Sequence, residues 1–143
     1  MSHKAGMVKV WIAELKDRPG SVSGKLAALA KAGANLEFIL ARRQPERPGK
    51  GVLFVSPLKG ARQEEAARDC GFIEARTLST VRVEGTNRTG LGHRMTGAVA
   101  DAGINLRGLA ASVYGRKFIA FFVFDTAKDA RRGLQTLKRV KKA

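Results

Sequence analysis

Two short turns in the 143-residue chain combine residue types that could hold a small charged ligand. One is D-R-P-G at 17–20 and the other is N-R-T-G at 87–90, and each precedes a segment with helical spacing of apolar residues. Because glycine has no Cβ, backbone N–H groups at the helix start can approach a carboxylate, which the positive end of the helix dipole also attracts. Asp17 or Asn87 beside the turn could accept a hydrogen bond from an ammonium group. A fold of this kind needs such turns whether or not a ligand binds, so both interpretations stay open.

These turns belong to an internal repeat. Shifting the sequence by 70 positions aligns 17–44 with 87–114 without a gap, and nine of the 28 aligned pairs are identical. Several identical pairs fall at turns, where chance agreement is less common: Arg18/Arg88, Gly20/Gly90, Gly33/Gly103 and Asn35/Asn105. We infer that the chain is a tandem duplication.

Each half predicts the element order β-α-β-β-α. An extended run opens it, at 7–15 in the first half and 78–85 in the second. A glycine turn and an amphipathic helix follow, and the helices end at Gly33 and Gly103. We expect hairpins at 36–43 with 51–58 and at 106–114 with 117–125, then helices at 61–71 and 127–140, the last with Thr126 or Asp125 as its cap.

This order predicts an α+β fold, a ferredoxin-like βαββα(β) sandwich in two tandem copies, with antiparallel sheets and the helices on one face. The predicted modules are 7–76 and 77–143. The fourth strand of each sheet is hard to place, because only FIEART at 72–77 lies between the halves and KRVKKA follows the last helix. Strands are either shared or exchanged between the halves, or the second half has one strand fewer.

Composition limits the classes of function. The chain has 27 Lys and Arg against 12 Asp and Glu, a net charge of +15, so a polyanionic partner must be considered. Hydrophobic residues make up 44% of the chain, which is enough for a core, and no apolar stretch is long enough to cross a membrane. We expect a cytoplasmic protein with no membrane partner. A single cysteine, Cys70, and two histidines provide no disulfide framework, metal set or catalytic triad, so we expect no metal, no cofactor and no enzymatic activity.

The residues resemble an ACT domain, the small amino-acid-binding regulatory module. The resemblance rests on the opening strand, D-R-P-G at 17–20, A-G-A-N-L at 32–36 and the following hairpin, and the second half repeats it with N-R-T-G and A-G-I-N-L. It implies that an effector amino acid binds between two modules. Carried over by position, it implies these ligand-binding residues: Asp17, Gly20, Ser21, Asn35 and Leu36 in the first half, and Asn87, Gly90, Leu91, Asn105 and Leu106 in the second.

The segment KFIAFFVF at 117–124 has two interpretations, an aromatic platform for stacked bases or a buried strand. An RNA-recognition sheet needs aromatic residues on the first strand of the same half, and TVRVEG has none. Phe118, Phe122 and Phe124 alternate with Ile119 and Phe121, so both faces of the strand are apolar and we expect both to be buried. One face should pack on the helices. The other face must also be covered, so we predict a homodimer or higher oligomer, as the resemblance also implies.

Two functions therefore stay open. The first is a non-catalytic regulatory protein that senses an amino acid at the interface between ACT-like modules. The alternative is a basic nucleic-acid-binding protein that contacts phosphates without reading sequence.

Overall fold

A computed structural model describes residues 3–75 and 79–140. The chain divides into two compact units, one formed by Lys9–Ala75 and the other by the C-terminal half together with the N-terminal segment that ends at Val8. In chain order the strands are β1 Lys4–Val8, β2 Trp11–Lys16, β3 Phe38–Arg43, β4 Lys50–Ser56, β5 Ile73–Glu74, β6 Ser79–Thr86, β7 Leu106–Tyr114 and β8 Lys117–Phe124. The helices are α1 Ser21–Lys31, α2 Gly60–Asp69, α3 Leu91–Asp101 and α4 Ala127–Lys138.

Each unit contains one four-stranded antiparallel sheet. The strand order is β3-β4-β2-β5 in the first unit and β1-β6-β8-β7 in the second. In both sheets the first and third strands of the β-α-β-β-α order are central and the second lies at an edge, which is the ferredoxin-like arrangement. The predicted α+β fold class is confirmed.

The second sheet takes its fourth strand from the start of the chain. Lys4–Val8 pairs antiparallel with β6, from Lys4 opposite Glu84 to Val8 opposite Thr80. The exchange alternative therefore applies, and the single strand predicted over 7–15 is wrong. That run is two strands in two sheets, interrupted at Lys9 and Val10. The Lys9 carbonyl oxygen accepts a hydrogen bond from the Ser56 hydroxyl at 2.9 Å instead of joining a ladder.

The predicted modules differ from the observed units for the same reason. Residues 7 and 8 were predicted in the first module and lie in the sheet of the second unit. The predicted boundary between residues 76 and 77 lies outside the described residues. The fourth strand of the first sheet is β5. It lies inside the segment FIEART and pairs with Trp11 and Ile12 of β2.

The helices cover one face of each sheet. In the first unit Trp11 and Leu53 pack with Leu29 of α1 and Ala67 of α2, and the Arg68 guanidinium lies 5.3 Å from the centre of the Trp11 ring. That position suits a cation–π contact.

In the second unit one face of β8, with Phe118, Ala120, Phe122 and Phe124, lies in the core with residues of α3 and α4. Of the opposite face, Phe121 is buried and Ile119 is half-buried. The prediction of a buried strand is confirmed on the face that packs against the helices. Helix α4 begins at the predicted cap, where the Thr126 hydroxyl accepts a hydrogen bond from the Asp129 N–H at 3.0 Å.

Candidate functional site

The first predicted turn forms an open corner between β2 and α1. The Asp17 N–H donates to the Gly49 carbonyl at 3.0 Å, and Gly20 then adopts a φ of 87° immediately before the helix. Non-glycine residues rarely adopt this left-handed conformation. A Cβ at Gly20 would have no neighbour within 4 Å, so backbone conformation, and not lack of space, requires the glycine.

The second turn repeats this conformation between β6 and α3. The Asn87 N–H donates to the Arg116 carbonyl at 2.7 Å, and Gly90 has a φ of 80°. Neither α1 nor α3 receives a side-chain hydrogen bond at its N-cap from any described residue. The N–H of the first residue of each helix donates to the carbonyl three residues earlier, at 3.4 Å in α1 and 3.1 Å in α3. The next two N–H groups of each helix have no partner within the helix, so at both corners these backbone donors can serve a ligand.

Asp17 already has a partner in the first corner. Its Oδ2 accepts from Arg43 Nε at 2.8 Å, and the side chains are 36% and 81% exposed. The sequence analysis proposed Asp17 as an acceptor for an ammonium group. The pair instead places the Arg43 guanidinium at the corner, and guanidinium groups bind carboxylates in two-pronged geometry.

Two of the cavities at this corner are lined by Ser21. One of about 200 Å³ is lined by Asp17 and Ser21 together with Arg18, Arg42 and Arg43. A neighbouring one of about 530 Å³ is lined by Gly20, Ser21, Lys25 and Cys70 among others. The structure thus brings together Asp17, Gly20 and Ser21.

Asn35 and Leu36 lie at the other end of the same sheet. Strands β2 and β3 both pair antiparallel with β4, so they run parallel, and the residues before β3 are far from those after β2. The 11 residues of α1 between them span about 16 Å. Asn35 is exposed, whereas Leu36 packs partly buried against the core. One module alone does not bring all five predicted residues into one site.

The second half divides its predicted residues in the same way. Asn87 and Gly90 lie at the corner, and Asn105 lies exposed before β7 with Leu106 packed against the core. Leu91 is buried in the core, and its N–H donates to the Arg88 carbonyl at 3.1 Å. Its side chain is therefore a packing residue, while the backbone around it forms the corner.

Arg94 is a candidate that the sequence analysis missed. Its Nη1 donates to the Thr89 carbonyl at 3.1 Å, beside Gly90. Its Nε and Nη2 are buried and have no hydrogen-bond partner among the described residues. An unpartnered buried guanidinium edge is costly, and a carboxylate would satisfy both donors. The sequence signal for Arg94 was its position one turn after Gly90. The first half has Gly24 at the position equivalent to Arg94.

Cys70 lines the larger cavity with a poorly reactive thiol. Burial raises its pKa above the ordinary value, and the nearby Lys25 ammonium opposes the shift only in part. At pH 7.4 the thiol should stay protonated, so we expect iodoacetamide to alkylate it several-fold more slowly than glutathione, because the thiolate is the nucleophile. Mass spectrometry of timed aliquots measures the rate, with the urea-unfolded chain as control. Alkylation of the folded chain at the glutathione rate would contradict this assignment.

Residues 3–75 and 79–140 contain neither a metal-binding cluster nor a membrane-spanning helix. No group of three His, Cys, Asp or Glu side chains in these ranges could hold a metal ion. None of the helices in the same ranges has the length and apolar character needed to span a membrane.

The fold matches solved structures at low sequence identity. No protein-family model matches the sequence, and no match was found among curated proteins. The chain is similar to protein BT0572 from Bacteroides thetaiotaomicron, with a TM-score of 0.75 and 16% identity over 92% of this chain and 88% of that one. It is also similar to the ligand-free regulatory subunit of aspartate kinase from Thermus thermophilus, with a TM-score of 0.67 and 16% identity over 99% and 98% of the two chains.

A third similar structure is the regulatory subunit of aspartate kinase from Thermus flavus, with a TM-score of 0.59 and 17% identity over 98% and 97% of the chains. These regulatory subunits are built from ACT modules. The chain has the tandem ACT fold. The similarity covers nearly all of this chain and of both regulatory subunits.

Proposed function

We propose that this tandem ACT protein is a non-catalytic cytoplasmic regulator that binds a free amino acid at its glycine corners. The observation that carries the proposal is the repeated open corner, with Gly20 and Gly90 in the same left-handed conformation before helices that no described side chain caps. The likeness to regulatory subunits of aspartate kinase supports the regulatory role.

In this proposal the backbone N–H groups at the corner and a nearby guanidinium hold the carboxylate of the ligand. Arg43 is that guanidinium in the first half, and Arg94 takes the role in the second. The amide oxygens of Asn35 and Asn105 accept from the ligand ammonium group. Because these amides lie at the opposite end of the sheet from the corners of their own modules, a second copy of the chain would complete each site.

That requirement leads us to propose a homodimer. The edge strands β3 and β7 carry Ile39 and Leu109, which are 50% and 45% exposed and occupy equivalent positions of the repeat. Strand edges with exposed apolar side chains favour pairing with another chain. Light scattering should give twice the mass of the chain at micromolar concentration, and a monomer mass with and without ligand would oppose the dimer.

A calorimetric titration with each of the twenty amino acids tests the function. We expect at least one to bind and to raise the melting temperature by mass action. Asn35→Ala or Asn105→Ala should weaken binding about ten- to a hundredfold, the effect of one lost hydrogen bond to a charged group, and leave the ligand-free melting temperature unchanged because both side chains are exposed. Gln135→Ala, an exposed amide on α4, is the matched control. Absence of heat and of a melting shift with all twenty would remove the proposal.

A second candidate function rests on α4. Lys128, Arg131, Gln135 and Lys138 share one exposed face, while the only carboxylate on this helix, Asp129, lies 3.8 Å from Arg132. The corresponding α2 balances Arg62 and Arg68 with Glu64, Glu65 and Asp69. A cationic helix face of this kind can contact nucleic acid phosphates.

Fluorescence anisotropy with arbitrary RNA and DNA at two salt concentrations tests this candidate. A triple change of Lys128, Arg131 and Lys138 to Gln should make the slope of log K against log salt shallower by the contribution of about three phosphate contacts. The double variant Arg62→Gln with Arg68→Gln on α2 should leave that slope unchanged. Equal loss in both variants would indicate attraction by net charge alone and would remove the candidate.

A further inference from the structure

We propose that the corner of the unit Lys9–Ala75 prefers an amino acid with a second carboxylate in its side chain, and that the corner of the other unit lacks this preference. The inference rests on the proposed function, since it assigns a ligand class to one of the two corners. Its basis is a difference in charge between two corners that the duplication makes comparable position by position.

Four cationic side chains line the cavity of about 200 Å³ at the first corner: Lys16, Arg18, Arg42 and Arg43. Asp17 is the one carboxylate among its lining residues. Its bond to Arg43 engages Nε, one of the five N–H donors of that guanidinium. The lining thus carries a surplus of three positive charges. A zwitterion of zero net charge leaves this surplus unbalanced, whereas a second carboxylate neutralises part of it.

The equivalent positions of the second corner keep one of these four cations, and Arg94, where the first half has Gly24, adds one guanidinium there. A shift of 70 positions replaces Lys16 by Thr86, and Arg42 and Arg43 by Ser112 and Val113. The registers agree with this alignment, because Arg43 is opposite Gly51 on β4 and Val113 is opposite Phe118 at the same place on β8. Arg18 alone keeps its counterpart, Arg88. Both corners form the same turn, so the fold does not require the three additional cations of the first.

Size and geometry favour a small dicarboxylate. A volume of about 200 Å³ is below the range of about 300–1,000 Å³ that suits drug-sized ligands. Arg42 and Arg43 are consecutive on the edge strand β3 and both are exposed. Their side chains project from opposite faces of the sheet. The two guanidinium groups can therefore approach a ligand at the strand end from two sides. Two-pronged arginine–carboxylate pairing then distinguishes a carboxylate from the isosteric amide.

Calorimetry on the full chain with L-aspartate, L-glutamate, L-asparagine and L-glutamine tests the inference. We expect each acidic amino acid to bind at least about tenfold more tightly than its amide, the effect of one charge-assisted contact. Arg42→Gln should reduce this preference to within about threefold while it leaves the pair of Asp17 and Arg43 intact. Arg43→Gln should weaken binding of all four amino acids, because Arg43 holds the carboxylate shared by every amino acid in the proposed function. Arg139→Gln, an exposed arginine directly after α4, is the matched control and should keep the preference.

Succinate, which lacks the ammonium group, separates this inference from the proposed function. Tight binding of asparagine, glutamine or another neutral amino acid, with weaker binding of both acidic ones, would overturn the inference and keep the amino-acid function. Binding of succinate without binding of any amino acid would support a dicarboxylate as the ligand of the first corner and would overturn the amino-acid function. If neither succinate nor any of the twenty amino acids binds, both the inference and the proposed function are wrong.

Discussion

Replacing Gly133 by alanine is expected to destabilise the protein by about 1–3 kcal/mol, although alanine favours helix formation. Gly133 is buried in α4 directly against the Phe124 ring, which is 0% exposed. A Cβ at this position would lie 2.9 Å from both Cε atoms of the ring and closer still to Cζ. A rigid ring in a packed core cannot move away cheaply. Urea denaturation measures the loss.

Gly97→Ala provides the matched control in α3, the other helix of the same unit. A Cβ at Gly97 in α3 would meet nothing within 4 Å, so alanine there should stabilise by about 0.5–1 kcal/mol. Phe124→Leu combined with Gly133→Ala should show a favourable coupling of about 0.5–3 kcal/mol, because the smaller side chain makes room for the methyl group. Stabilisation by Gly133→Ala, or additivity in the double variant, would contradict the packing described.

Replacing Gly85 by alanine should displace the N-terminal strand from the second sheet, at a cost of about 1–3 kcal/mol. Gly85 is buried on β6, and a Cβ there would lie 2.6 Å from the His3 Cβ and 3.0 Å from its Cα. His3 also contacts the Leu137 carbonyl through Nε2 at 2.6 Å, so its displacement releases a contact with α4. Hydrogen exchange of Lys4–Val8 should accelerate together with the loss of stability.

Gly6→Ala tests the same strand pair without the clash. Gly6 is opposite Arg82 in the ladder, and a Cβ there would meet nothing within 4 Å. Alanine should leave the protection of the strand intact and leave stability unchanged or raised by about 0.4–1 kcal/mol. If Gly85→Ala and Gly6→Ala behave alike, the N-terminal segment does not pair with β6 as described.

Local sequence patterns predicted most of the fold. The helix-ending glycines, the apolar stripes and the hairpin at Gly115 depend on neighbouring residues, and β7 was predicted with its observed bounds. The strand exchange depends on which sheet each part of MVKVWIAEL joins. The run is mostly apolar and contains no glycine or proline, so its local pattern is the same for one strand or two, and only the partners β6 and β4 separate them.

The site was predictable only in part for a similar reason. The left-handed glycines are marked by their own residue type and by the repeat. The bond from Arg43 to Asp17 joins residues 26 positions apart and depends on the register of β3. The separation of Asn35 from the corner follows from the parallel course of β2 and β3, which periodicity does not reveal. Arg94 had a local signal, its position one turn after Gly90, and its meaning depends on the burial of Nε and Nη2.

The most direct test of the central claim, that the glycine corners bind a free amino acid, is a ¹H–¹⁵N correlation spectrum of the protein titrated with the amino acid that calorimetry selects. We predict that the amide resonances of Gly20 and Ser21, or of Gly90 and Leu91, shift together with the side-chain amide of Asn35 or Asn105. Shifts confined to residues away from both corners, or an unchanged spectrum with every amino acid, would contradict the claim.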